Sequence, residues 1–259
     1  MCAPGCLWIA LAMVGLPIRA QTAEPIQTNS AIPFEPGSAG VKLDFVTGIG
    51  RAGGASQVIS EGTFQLGVFK GLEALVRFPI LRVRLPSPDF AVIGGGHLAT
   101  GARYLLAGGA GRAYAISSEV IVEAPTGNTR LVGNATEVTP GLLAEWRPAS
   151  PIAIHSNLRF DHSLGGTGPR TAFLEYANAV VVLATDRFVP VLEFVGSTNT
   201  ISSRTELIVQ PEVIVRHGLH WELKAGLQLG LNSLTPSVGV RAQLACFGGT
   251  ANKSVPNPP

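Results

Sequence analysis

From Thr205 to Phe247 the chain alternates between apolar and polar positions in three successive runs. In the middle run Trp221, Leu223, Ala225, Leu227 and Leu229 alternate with Glu222, Lys224, Gly226, Gln228 and Gly230. The run after it sets Val238, Val240, Ala242, Leu244 and Cys246 against Gly239, Arg241, Gln243 and Ala245. The run before it sets Leu207, Val209, Pro211, Val213 and Val215 against Glu206, Ile208, Gln210, Glu212, Ile214 and Arg216. A period of two predicts β-strand, because successive side chains of a strand point to opposite faces. These runs are about twice the common strand length of ~5–6 residues, and none of their apolar faces carries a charge. A strand that crosses a bilayer needs ~9–11 tilted residues with one face against lipid. That is what each run offers.

The same pattern extends upstream. Val41, Leu43, Phe45, Thr47 and Ile49 oppose Lys42 and Asp44, and residues 51–56 read as a glycine-containing loop. Residues 62–70 predict a strand, and Leu72, Ala74, Val76 and Phe78 alternate with Glu73, Leu75 and Arg77. Beyond Pro79 the run either extends this strand or begins a loop insert, and 86–96 reads as a long loop. From His97 the pattern is regular. Predicted faces are centred near residues 102, 118, 142 and 156, followed by a longer apolar run over 170–185, a strand over 188–195 and a polar loop over 196–204. The expectation is an all-β domain of about twelve strands with alternately short and long connections, the layout of an up-and-down antiparallel transmembrane β-barrel. Closure is the physical reason for a barrel, because an open sheet edge in hydrocarbon leaves backbone groups unpaired. In water the same alternation would describe a soluble β-sandwich, and that alternative stays open here.

Composition narrows the picture. The 259 residues include 31 glycines and 19 prolines, only 14% are charged, and the net charge is +2. No basic field argues for nucleic acid. Residues 1–20 predict a secretory signal peptide, with an apolar segment over 7–16 too short to span a bilayer and Ala20 at the cleavage point. Residues 21–38 read as a flexible lead-in, 39–247 as the barrel and 248–259 as a disordered tail. Cys2 and Cys6 leave with the leader, so Cys246 is alone, on the apolar face, as a small hydrophobe. Aromatics make up 7% of the chain, so interfacial girdles are expected to be thin.

In a barrel the charged face lines the lumen. The residues expected there are Glu119, Glu123, Glu145, Arg147, Arg159, Asp161, Glu206, Glu212, Arg216, Glu222, Lys224 and Arg241. With both signs present, they describe either a polar passage for a small solute or a salt-bridged filling that plugs the lumen. No catalytic, metal-binding or cofactor-binding constellation emerges. His155 and Ser156 are neighbours on a strand and point to opposite faces, so the one cannot activate the other. Gly94, Gly95 and Gly96 lack the helix that a phosphate loop needs. The histidines show no metal spacing, and the chain reads as a non-enzyme.

Several segments in order carry a family likeness: GLEALVRFP (71–79), GHLATGARYLLA (96–107), VEAPTGN (122–128), TPGLLAEW (139–146), HSNLRFDHS (155–163) and RFVPVLEFVG (187–196). They resemble the meta-pathway phenol-degradation family of outer-membrane β-barrel transporters over roughly residues 60–247. The resemblance implies the outer membrane of a Gram-negative bacterium, contact with its lipid, and passage of small molecules, including aromatic or hydrophobic ones. It carries no binding residues across. Barrels of this kind usually end at an aromatic residue on the lipid-facing parity, whereas Phe247 falls on the opposite parity.

Overall fold

The computed structural model describes residues 29–49, 56–87, 90–129, 133–149, 151–166, 172–183, 185, 187–218, 220–232, 235 and 238–248. The predicted leader, almost all of the predicted tail, and loop residues 51–55 lie outside them. The strands are β1 (Ala39–Ile49), β2 (Ser56–Phe69), β3 (Leu72–Ser87), β4 (Phe90–Gly94), β5 (Leu98–Gly108), β6 (Tyr114–Ala124) and β7 (Thr136–Ala149). They continue with β8 (Ile152–Leu164), β9 (Ala172–Val182), β10 (Phe188–Asn199), β11 (Arg204–His217), β12 (Trp221–Gly230) and β13 (Val238–Gly248). Each pairs antiparallel with its neighbours in one 13-stranded sheet. β1 and β13 pair from Ala39↔Gly248 to Ile49↔Val238, so the two ends of the domain meet and the sheet closes. β4 pairs only with β3, which leaves twelve strands in the ring. This closure excludes the two-sheet sandwich, whose edges would stay open.

Three expectations are corrected here. Residues 86–96, expected as a loop, contain β4, which folds back on β3 through Arg82↔Gly94, Val83↔Ile93 and Arg84↔Val92. Residues 196–204, expected as a loop, are strand as far as Asn199, paired to Arg204 across a short turn. In that turn Asn199 Oδ1 accepts from the backbone N–H groups of Ile201 and Ser202 at 3.0 and 2.9 Å, which holds Ser203 at φ 55°. β2 begins at Ser56, well before the predicted start at residue 62. Pro79 extends β3 rather than ending it. Proline has no N–H to give the ladder, and the register with β2 slips beside it, from Glu61↔Pro79 to Ser60↔Leu81.

The exterior is apolar and exposed. Leu43, Phe45, Leu142, Leu158, Phe194, Leu223, Leu227 and Val240 all face outward with 38–53% of their surface accessible. In a water-soluble domain these side chains would form the core. Eleven tilted residues, as in β1, β6 and β13, rise about 28 Å at ~3.3 Å each and a tilt near 40°, close to the ~25 Å apolar band of such barrels. Glycines on this outer face are covered by a neighbour's ring. Tyr176 lies over Gly196, where an added methyl would overlap the ring, and Phe78 lies over Gly62 in the same way.

The connections define two ends. At the near end lie the start of β1, the end of β13 and the connections 70–71, 109–113, 150–151, 183–187 and 218–220. The far end carries β4 and the longer connections 125–135, 165–171 and 231–237. Some of the aromatic residues gather at the near end. Phe69, Tyr104, Tyr114, Trp146 and Phe188 are exposed at the near end, joined by half-buried Trp221. Tyr114 and Trp146 are directly paired across β6 and β7. Such a girdle suits the boundary between acyl chains and headgroups, where an aromatic body meets a polar medium.

Candidate functional site: the barrel interior

The interior is built from alternate residues of every strand, so its polar groups come from all round the ring. Its waist is a continuous chain of charges. Gln65 on β2 donates to Glu73 Oε1 on β3 at 2.8 Å, and Glu73 lies 3.6 Å from the Arg103 guanidinium on β5. Arg103 donates through Nε and Nη2 to Glu119 Oε2 on β6 at 3.2 and 2.8 Å. Arg159 on β8 donates to Glu119 Oε1 at 3.0 Å. Glu73, Arg103 and Glu119 are almost fully buried, which is tolerable only because each charge is paired and hydrogen-bonded.

Other expected residues pair more locally. Glu145 on β7 accepts from Arg147 Nε at 2.8 Å and lies 3.7 Å from buried His155. Arg216 on β11 donates to Glu222 on β12 at 3.1 Å, and Lys224 lies 3.6 Å from the other oxygen of Glu222. Arg241 on β13 lies 3.6 Å from Asp44 on β1, which also accepts from Gln243 at 2.9 Å. Gln210 bridges Glu212 and Glu193 at 3.1 and 2.8 Å. Glu123 lies 3.5 Å from Arg77, which is also 3.7 Å from Glu61. Asp161 accepts from Thr139 at 3.2 Å, and Glu206 is exposed near the far end of β11. Glu73, Arg103, Arg77, Glu175, Glu193 and the Lys42–Asp44 pair of positions were absent from the expected set. Their parity was readable, since each alternates with apolar neighbours, but no sequence feature showed which charges would meet.

His155 is fully buried inside, while Ser156 hydrogen-bonds Asn178 on the outer face at 2.7 Å. The two neighbours therefore lie on opposite sides of the wall.

The near end contains a segment that sequence reading assigned to a flexible lead-in. Residues 29–38 are instead packed across the interior. Gly37 N donates to Gly67 O and Gly67 N to Ser38 O, at 3.0 and 2.9 Å, which ties the segment to β2. Gly67 is required there, because an added methyl would overlap the Glu35 carbonyl. Phe34 N donates to Glu73 Oε2 at 3.0 Å, and the Phe34 ring meets Phe247 with centroids 6.1 Å apart. On the opposite wall Ser117 Oγ donates to Ala31 O, and Ser30 Oγ donates to Glu145 Oε2 at 2.8 Å. Ala31 packs fully buried against Ala115 and Leu143. The segment is thus a strap from the β1–β3 side to the β6–β7 side. It explains the inward parity of Phe247, which anchors the strap with Phe34 and Ala245. Beside it, Ala153, Ala179, Val181, Val189, Val191 and Ile214 form an apolar floor on β8–β11.

The described residues enclose small cavities, among them two of about 100 and 110 Å³. The first is walled by Asn157, Arg159, Glu175 and Ser197 among others, the second by Ser60, Glu61, Arg77, His97 and Glu123. Both therefore have carboxylates in their walls.

No protein-family model matches the chain, and no curated protein sequence matches it. Solved structures do resemble it. An outer-membrane channel from Pseudomonas putida F1 superposes with a TM-score of 0.61 at 11% identity, covering 88% of this chain and 99% of that one. The NanC porin gives 0.55 at 9% identity over 81% of this chain and 100% of that one. The KdgM porin gives 0.52 at 9% identity over 81% and 99%. At such identities the likeness is one of architecture: the chain folds as a closed antiparallel β-barrel of the kind found in outer-membrane channels and porins.

Proposed function

We propose that this protein is a channel of the Gram-negative outer membrane that lets small solutes cross passively through its polar interior. One observation carries the reading: an exposed apolar belt surrounds a closed ring whose interior holds buried carboxylates and guanidiniums. That inversion suits lipid outside and water or solute inside. The fold shared with channels and porins supports it, and so does the layout of the ends. Short turns, the start of β1 and the end of β13 at the near end match the periplasmic side of such barrels, with longer connections outside. A narrower assignment, to the phenol-degradation transporters and to aromatic or hydrophobic solutes, rests on the segment resemblance alone.

A second reading is a barrel that does not transport. The strap and the apolar floor favour it, because together they obstruct the near end. The deciding experiment begins with fractionation of expressing cells and gel mobility before and after boiling. Outer-membrane recovery with a heat-dependent shift is expected, and recovery in the soluble periplasm would overturn the membrane assignment. Planar-bilayer recording of the folded protein then separates the two readings: stepwise conductance is expected for a channel, and a silent bilayer identifies the closed barrel.

A further inference from the structure

The hollow on β8–β10 has a local cause in the sheet. Arg159 on β8 and Glu175 on β9 are direct cross-strand partners, and Glu175 is paired in turn with Ser197 on β10. An arginine opposite a glutamate would ordinarily close into an ion pair. Arg159 instead leans the other way, across Gly141 on β7, and gives Nε and Nη2 to Glu119 Oε1, both at 3.0 Å. Gly141 permits this, because an added methyl there would lie 3.0 Å from Arg159 Cγ. Among the described residues neither Glu175 nor Ser197 makes a side-chain hydrogen bond or an ion pair within 4.0 Å. One rung toward the near end, Asn157, Ala177 and Val195 are likewise direct partners. Ala177 is the small residue of that rung, and it borders the cavity of about 100 Å³. Glu175 and Ser197 line the same cavity from half-buried positions, so it is not sealed from the lumen.

We infer that this hollow is a binding station for a vicinal diol, the edge of a polyol or sugar, inside the lumen. The inference deepens the channel reading above and rests on it for how the solute arrives. The chemistry is that of the wall. A carboxylate only accepts hydrogen bonds, whereas a serine hydroxyl both donates and accepts. Directly paired positions hold their Cβ atoms about 4.5–5.5 Å apart. One hydroxyl of a diol therefore donates to Glu175 while its neighbour exchanges a hydrogen bond with Ser197, and Ala177 and Val195 meet the carbon skeleton. An apolar molecule of the same size is rejected, because it would strip water from Glu175 and Ser197 without replacing the hydrogen bonds. Size sets the other limit. A cavity of ~150 Å³ admits a benzene ring, so this smaller one takes two carbons with their hydroxyls, and the rest of a longer polyol stays in the lumen.

The test is saturation-transfer NMR on the folded, full-length mature protein in lauryldimethylamine oxide, a detergent without hydroxyl groups. Erythritol is the probe, and butane-1,4-diol, which has no neighbouring hydroxyls, is the control. Erythritol is expected to bind about fivefold or more tightly than the control. Glu175→Gln keeps the shape and removes the charge, and is expected to weaken erythritol binding about tenfold. Ala177→Leu fills the hollow without altering either polar group, and is expected to abolish binding. Should either variant fail the heat-shift test for folding, Ser197→Ala is expected to weaken binding about fivefold by itself. No erythritol binding to the folded protein, or equal binding of the control, would overturn the station. Binding unchanged in the variants would overturn its placement at Glu175. Planar-bilayer recording separates this failure from that of the channel reading. A silent bilayer with erythritol still bound would refute the channel and leave the station standing, whereas stepwise conductance without erythritol binding would do the reverse.

Discussion

The two ends of the interior use the same kinds of side chain to different effect. Toward the near end and the waist, acidic groups such as Glu73, Glu119, Glu145 and Glu222 sit beside a guanidinium or ammonium and are nearly all inaccessible to solvent. There the charges behave as structure, fastening strands and strap. Toward the far end the rim residues Arg204 and Glu206 are open to solvent. The difference shows that charge content alone does not describe a barrel lumen. A paired, buried network is costly to break, whereas charges open to solvent at a rim are screened and contribute little to stability.

That contrast can be broken at its strongest point first. Glu119→Gln leaves both Arg103 and Arg159 short of their shared carboxylate, and a loss of about 3–5 kcal/mol is expected. Urea unfolding in lipid vesicles, followed by tryptophan fluorescence, measures it. A loss below ~1 kcal/mol would mean that lumen water already screens the waist, as it does exposed pairs. On the outer face Leu142→Arg puts a charge into the apolar belt, and about 2–4 kcal/mol is expected near the midplane. The same assay should show almost no effect if residue 142 lies in water.

The strap comes next. Gly67→Leu forces a side chain into the Glu35 carbonyl and is expected to unseat residues 29–38, with a stability loss of about 1–3 kcal/mol. Conductance is expected to rise severalfold over the unaltered protein. Equal conductance in a folded variant would show that the strap does not obstruct the passage. The smallest effect is at the far rim, where Glu206→Gln is expected to change stability by no more than ~0.5 kcal/mol. A large loss there would mean that the far carboxylates are structural too, and the two ends would cease to differ.

Much of the architecture is legible in the chain, and the failures are informative. The runs over β5–β8 and β11–β13 are regular because each residue has only two faces to choose between, lipid or interior. At Pro79 the sequence leaves extension and a loop insert open, and the bulge decides for extension, since it lets a strand continue through a residue that cannot donate. β4 is missed because it pairs with β3 beyond the ring, where the chain need not meet lipid and its alternation is short. Residues 29–38 are missed for a different reason. Their composition is that of a linker, and only a barrel interior lined with Glu73, Glu145, Ser117 and Phe247 supplies partners for their backbone and for Phe34.

The sequence by itself determined which side chains share a face and that one face is free of charge, because alternation is a local property of an extended backbone. The tertiary structure alone decided that β4 stays outside the ring while β1 meets β13, that Glu119 joins Arg103 to Arg159, and that the segment before β1 turns inward as a strap. Those outcomes depend on register and closure between distant strands, where the partner of a residue is set by the whole sheet rather than by its neighbours in the chain.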